Sequence, residues 1–196
     1  MIPRRTSIVR ETRETRVELE LGLDGDGRSE VSTGLGFLDH MIATLARHAR
    51  FELALSCRGD LEVDDHHTAE DCALVLGQAL DQALGERAGI ARFGHAYAPL
   101  DEALARAVVD LSGRPWPAVQ LGLRRERLGR LATENLTHFL NSLAIAGRLN
   151  LHVEVLAGVN DHHRAEAAFK ATALALRAAL ARDGSQVVPS EKGVLA

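Results

Sequence analysis

Apolar and polar residues alternate along several short stretches of this chain and recur at helical spacing in others. Val17-Glu18-Leu19-Glu20-Leu21 puts three apolar side chains on one face, and the stretch runs into Asp24-Gly25-Asp26-Gly27. That pattern predicts a half-buried strand ending in a turn. Ala105 to Leu111, ending at Ser112-Gly113, reads the same way. Helical periodicity follows each strand, over Gly36 to His48 and over Thr133 to Gly147. Alternation then returns in Phe51-Glu52-Leu53-Ala54-Leu55 and from Leu149 to Val155. Each half closes with an apolar helical stripe: Ala73, Leu76, Leu80, Ala83 and Leu84 in the first, Ala167, Ala171, Leu174 and Ala178 in the second. Strands and helices in this order predict an α+β fold, with antiparallel sheets covered by helices on one face.

The order repeats because the sequence repeats. Asp65-His66-His67-Thr68-Ala69-Glu70 and Asp161-His162-His163-Arg164-Ala165-Glu166 share five of six positions. Upstream, His40 aligns with His138, and the alignment pairs Leu38 with Leu136, Leu45 with Leu143 and Arg50 with Arg148. Such self-similarity marks an internal duplication. The halves run over about 1–90 and 91–196. No Pro-, Ser- or Gly-rich linker parts them, so they are expected to form one compact unit.

Composition adds limits. The 196 residues carry a net charge of -4, which gives no basic excess for binding a phosphate backbone, so no nucleic-acid partner is expected. Arginines gather near the N-terminus and at Arg124, Arg125, Arg127 and Arg130, where a solvated face is the ordinary reading. The start, MIPRRTSIVRE, has no apolar core of a secretory signal, and no apolar run is long enough for a bilayer. Cys57 and Cys72 do not make a disulfide framework, and Cys72 falls on an apolar helical stripe. A cytoplasmic, membrane-free protein is the expectation.

The nine histidines carry the chemistry. Successive residues on a helix turn by about 100°. Two adjacent histidines therefore diverge and serve two different positions. The Glu four residues after the first His and three after the second lies on their face. With His40 and His138 added, the donors are His40, His66, His67, Glu70, His138, His162, His163 and Glu166. Over two ions, that is three imidazoles and one carboxylate each. Such a set suits Mn, Fe, Co or Zn and leaves open positions, the mark of a catalytic centre. Asp65 and Asp161 are placed to cap their helices or to orient an imidazole. His48, His95 and His152 stand alone and read as structural.

These residues resemble the imidazoleglycerol-phosphate dehydratase family. The matching segments are Gly36-Phe37-Leu38-Asp39-His40-Met41, both Asp-His-His stretches, Ser112-Gly113-Arg114-Pro115 and Pro189-Ser190-Glu191-Lys192-Gly193-Val194-Leu195. The resemblance implies a duplicated unit of the ribosomal protein S5 domain 2-like kind, with helices sandwiched between two four-stranded sheets. It implies a homo-oligomer, a 24-mer built from trimers, with two Mn2+ per active site and sites shared between subunits. The implied activity is that of a hydro-lyase of histidine biosynthesis. It converts D-erythro-imidazoleglycerol phosphate to imidazole acetol phosphate and water through a di-metal-bound imidazolate. The resemblance also implies Glu14 as acid/base and Arg92, Arg114, Ser190 and Lys192 as phosphate ligands. Glu102, opposite Glu14 in the repeat, and the adjacent Asp101 are weaker acid/base candidates. One departure is Thr44, where many relatives carry an amide. A phosphatase domain, fused to this enzyme in some relatives, is not expected. Two other readings compete: a dinuclear hydrolase of a small phosphate ester, and a metal-storage shell. The first would yield hydrolysis products, and the second would fill every coordination position with protein.

Overall fold

The computed structural model describes residues 4–193 and 195; Val194 of the C-terminal motif lies outside the described residues. The chain begins with β1 (Arg5–Glu11), β2 (Thr15–Gly22), β3 (Ser29–Ser32), α1 (Gly36–Ala49), β4 (Glu52–Gly59) and α2 (His66–Leu84). It continues with β5 (Phe93–Leu100), β6 (Ala103–Asp110), β7 (Trp116–Gln120), the short pair β8 (Arg127–Leu128) and β9 (Leu131–Ala132), then α3 (Thr133–Ala146), β10 (Asn150–Ala157) and α4 (Asp161–Ala179).

Two four-stranded sheets result, ordered β1-β2-β4-β3 and β5-β6-β10-β7. The second order is the first one repeated, so the duplication extends to strand pairing. Even the helix ends correspond: Arg50 and Arg148, paired in the sequence repeat, both take left-handed backbone just after α1 and α3 (φ 60° and 51°).

The expectation of antiparallel sheets needs correction. β3 pairs with β4 in parallel, and β7 with β10 in parallel. A helix lies between the members of each pair, and a helical crossover returns the chain in the same direction. The strands that the pattern did not announce are β1, β3, β5 and β7, together with the short β8–β9 pair. β1, β3, β5 and β7 are the edges of the two sheets. β1 reads as a charged run because its outward positions are exposed (Arg5, Ser7, Val9 and Glu11).

The inner faces of both sheets bury apolar side chains, led by Val17, Leu19 and Leu21 on β2 and by Ala105, Ala107 and Val109 on β6. α2 packs on β1, β2 and β4, and α4 packs on β5, β6 and β10. Across the middle, α1 meets α4 and α2 meets α3, so the helices lie between the sheets. The second sheet and α4 approach closely because both are built from small residues. A Cβ on Gly94 of β5 would fall 2.0 Å from the carbonyl oxygen of Ala175. Cys57 and Cys72 are buried and unpaired. Among the described residues, no helix is long and apolar enough to cross a membrane.

Candidate metal centre

The two helix contacts across the middle assemble the histidines. His40, in the second turn of α1, meets the first turns of α4, which carry His162 and Glu166. His138, in the second turn of α3, meets the first turns of α2, which carry His66 and Glu70. Two triads form, and each takes residues from both halves of the chain. Within each, one donor atom per residue lies within 4.8 Å of the others.

In the first triad the Nε2 atoms of His40 and His162 converge on the same Glu166 oxygen at 3.0 and 3.2 Å. In the second, His138 Nε2 lies 3.0 Å from Glu70 Oε1. Asn135 Oδ1 accepts from His66 Nδ1 at 3.0 Å, which leaves Nε2 of that ring free as a donor atom. Several nitrogens and a carboxylate crowded this closely, with no hydrogen to share on every approach, are what a cation would join.

His67 and His163 do not enter either triad. Adjacent rings diverge as helical geometry requires, with interplanar angles of 76° for His66 and His67 and 85° for His162 and His163. Each of the two outer imidazoles instead lies between two carboxylates. His67 has Asp60 at 3.1 Å on Nδ1 and Glu14 at 3.7 Å on Nε2. His163 has Glu102 at 2.7 Å on Nδ1 and Asp101 at 3.8 Å on Nε2. Asp60, and behind it Glu14, push His67 toward its protonated form, and Glu102 does the same for His163. Of the eight expected donors, the fold gathers six into the two triads and leaves His67 and His163 outside them.

Glu14 and Asp101 sit on corresponding hairpin tips, between β1 and β2 and between β5 and β6, with side chains 54% and 73% exposed. Glu102, the other candidate acid/base, is tied down. Its Oε1 accepts from the amides of Val159 and Asn160, its Oε2 faces His163, and its carboxyl is held at about 2 chiefly by that imidazole. A carboxylate so fixed is fully ionised near neutrality.

Burial would push the Glu166 carboxyl up, but Lys170 at 2.8 Å and His40 hold it at about 2. The pattern did not single out Lys170, although its i, i+4 spacing from Glu166 was readable. Asp60 and Asn135 were also missed, since only tertiary structure brings them to the histidines.

Asp65 and Asp161 neither cap a helix nor touch an imidazole. Asp64 Oδ1 accepts from the His66 amide and Asn160 Oδ1 from the His162 amide. Asp65 Oδ2 instead accepts from the Ala132 amide, and Asp161 Oδ2 from the amides of Arg124 and Arg125. The two aspartates thus hold both ends of the 124–132 loop beside the paired histidines.

Of the four expected phosphate ligands, Arg92 is the most constrained. Its Nε and Nη2 donate to the Asp110 carboxylate and its Nη1 to the Pro189 carbonyl. The Leu111 amide donates to the Arg92 carbonyl, so the strand that leads to Gly113 and Arg114 runs beside it. Ser190 follows the tethered proline, and its Oγ accepts from the Lys192 amide at 3.3 Å. Arg114 and Lys192 are exposed. Thr44 is buried at 8% exposure. His48 is half-buried, and burial, then Lys170, lower its pKa; His95 and His152 lie exposed on the second sheet.

The sequence profile of the imidazoleglycerol-phosphate dehydratase family matches residues 33–176. An imidazoleglycerol-phosphate dehydratase of Phytophthora nicotianae is 58% identical over 98% of this chain, which spans 43% of that relative's length. The one from Candida glabrata is 53% identical over 96% of this chain and 99% of its own. Among solved structures, the enzyme of that name from Pyrococcus furiosus superposes with a TM-score of 0.83 at 36% identity, covering 96% of this chain and 100% of its own.

Proposed function

The chain belongs to the imidazoleglycerol-phosphate dehydratase family, a hydro-lyase family of histidine biosynthesis, and from that premise we propose how its residues carry out the reaction. The activity is the dehydration of imidazoleglycerol phosphate. Water leaves from two adjacent carbons of the glycerol chain. The carbon next to the ring gives up its hydroxyl, its neighbour gives up a hydrogen, and the resulting enol relaxes to the ketone. The hydrogen lost is not acidified by a carbonyl, so the barrier falls on C–H removal and C–O cleavage together.

One observation carries the metal assignment: two His-His-Glu triads with converging donor atoms. His40, His162 and Glu166 would hold one divalent ion and His66, His138 and Glu70 a second, with Mn2+ suited to this mixed nitrogen and oxygen set. Bound ions would supply the Lewis acidity that acidifies the N–H of the substrate's imidazole, and loss of that proton would leave the ring electron-rich enough to expel the hydroxyl. His67 and His163 face away from their own triads. We read them as the fourth protein ligands for triads of neighbouring copies, in a 24-mer built from trimers. This oligomer is cytoplasmic, in keeping with its unpaired cysteines.

The remaining steps belong to side chains. Glu14, exposed on its hairpin tip beside His67, moves the proton between carbon and the departing oxygen, and Asp101 stands in the same relation to His163 in the second half. Arg92, Arg114, Ser190 and Lys192 bind the phosphate. The Asp110 carboxylate pre-aims the Arg92 fork, which limits the rotamer entropy lost on binding.

The test is turnover of imidazoleglycerol phosphate by Mn-reconstituted protein against His67→Ala. Ketone product from the parent and its loss from the variant are expected. Glu14→Gln should lower turnover by about 10²–10⁴ with metal content unchanged. Absence of ketone from assembled, metal-loaded parent protein would end this reading, and phosphate release from a simple ester would then point to the hydrolase.

A further inference from the structure

His67 and His163 make the same contact from different parts of the chain. Asp60, at the end of β4, presents both carboxylate oxygens to His67 Nδ1, at 3.3 and 3.1 Å. Glu102, on the β5–β6 hairpin, reaches His163 Nδ1 at 2.7 Å. These carboxylates are not equivalent in the repeat. The segment opposite Asp60, Leu156 to Gly158, has no acid, and Glu102 lies on the hairpin that corresponds to that of Glu14. Duplication copied the histidines, so the carboxylates that meet them have separate origins.

The Glu102 carboxylate and the Asp60 backbone are both anchored. The Glu102 oxygen not facing His163 accepts from Val159 and Asn160, which anchors it to the loop before α4. The Asp60 amide donates to the Glu14 carbonyl at 3.1 Å, which ties it to the hairpin tip of the acid/base candidate.

A carboxylate on Nδ1 requires that nitrogen to carry the hydrogen, and the neutral ring then offers its lone pair at Nε2. On both outer histidines Nε2 points toward the exposed hairpin acid, Glu14 or Asp101. We infer that Asp60 and Glu102 are positioning residues that fix the outer histidines as Nδ1–H tautomers, so that each presents Nε2 to a metal ion on the side of Glu14 or Asp101. This rests on the reading of His67 and His163 as metal ligands.

The experiment measures Mn2+ affinity by chelator competition on the assembled protein, with thermal melting as the folding control. Glu102→Gln keeps an oxygen for Val159 and Asn160 but removes the anionic acceptor, and Asp60→Asn does the same for His67. Each should weaken Mn2+ binding by about ten- to a hundredfold while the metal-free protein melts as the parent does. His163→Ala should lose metal too. Adding Glu102→Gln to it should cost little more, because both changes act through one ligand. If Glu102→Gln and Asp60→Asn hold Mn2+ within twofold of the parent while His163→Ala loses it, the positioning role is wrong and the ligand assignment stands. Full additivity in the double variant also overturns the positioning role. Should His163→Ala itself retain parental affinity, the ligand reading fails and this inference with it. A variant that melts early is replaced by Glu102→Asp or Asp60→Glu, which retain the charge and should recover most of the affinity.

Discussion

Glu166 shares its triad with an ammonium group, and Glu70 does not. Lys170 stands 2.8 Å from Glu166, whereas the matching position in the first half is Leu74. The histidines differ in a similar way. Asn135 accepts from His66 in one triad, while its counterpart Phe37 packs the edge of its ring on His162 in the other, centroids 5.1 Å apart. Ser142 lies 3.3 Å from His138 Nε2, while its counterpart Thr44 is buried beside α1's inner face. Duplication delivered the same three donors twice, and the groups behind them diverged. One triad is covered by a cation and an aromatic ring, the other by an amide and a hydroxyl. Identical donors would therefore not make ions bound at the two triads equivalent, because charge and hydrogen bonding around a ligand tune the ion that it holds.

The largest effects should come from the donors themselves. Glu166→Gln and Glu70→Gln each remove one anionic ligand. Each should lower metal content by about one ion per chain and turnover by about a hundredfold or more. Elemental analysis after gel filtration, paired with turnover, checks both. Normal turnover in one variant and not the other would mean that a single triad does the chemistry and the second is structural.

The next effect separates the two surroundings. Asn135→Ala deprives His66 of its acceptor and should weaken Mn2+ binding by about tenfold. Phe37→Leu at the matching position removes only an edge contact with His162, about 0.5–1 kcal/mol, or a few-fold in affinity. Chelator competition on both variants decides. Equal losses would show that the amide adds nothing beyond packing.

The six side chains that gather in the two triads were legible from the sequence because their spacing is local. A helix fixes where His66, His67 and Glu70 point relative to one another, and a repeat doubles the signal. The partition of those donors was not legible. Whether His67 joins His66 or faces Asp60 depends on how α2 packs on α3 and where β4 ends, and neither leaves a periodic trace. For the same reason the central strands were readable and the edge strands were not. β2, β4 and β6 bury one face and alternate cleanly, and β10 does so as far as Val153, while β1 exposes its charges on the outer face and resembles a solvated run. Asp65 and Asp161 show a further limit: an acid before a helix reads as a cap, yet here the neighbouring Asp64 and Asn160 take that role.

Lys170 offers the smallest and most specific test of the difference between the triads. Glu166 is held at about 2 in the folded chain against an ordinary 4.5, with burial opposing and Lys170 and His40 favouring the anion. A depressed carboxyl stabilises the fold above its unfolded value, and that contribution is lost as pH falls from about 4.5 toward 2. In Lys170→Leu the ammonium no longer offsets burial, so the folded value rises toward the unfolded one and the contribution shrinks. Allowing for solvent around a partly open site, the difference should be about 1 kcal/mol. Urea unfolding of metal-stripped protein at pH 7 and pH 3 measures it. Between those two conditions the parent should lose about 1 kcal/mol more than the variant. If both lose the same amount, Lys170 does not hold Glu166 ionised, and the charge contrast between the two triads disappears with it.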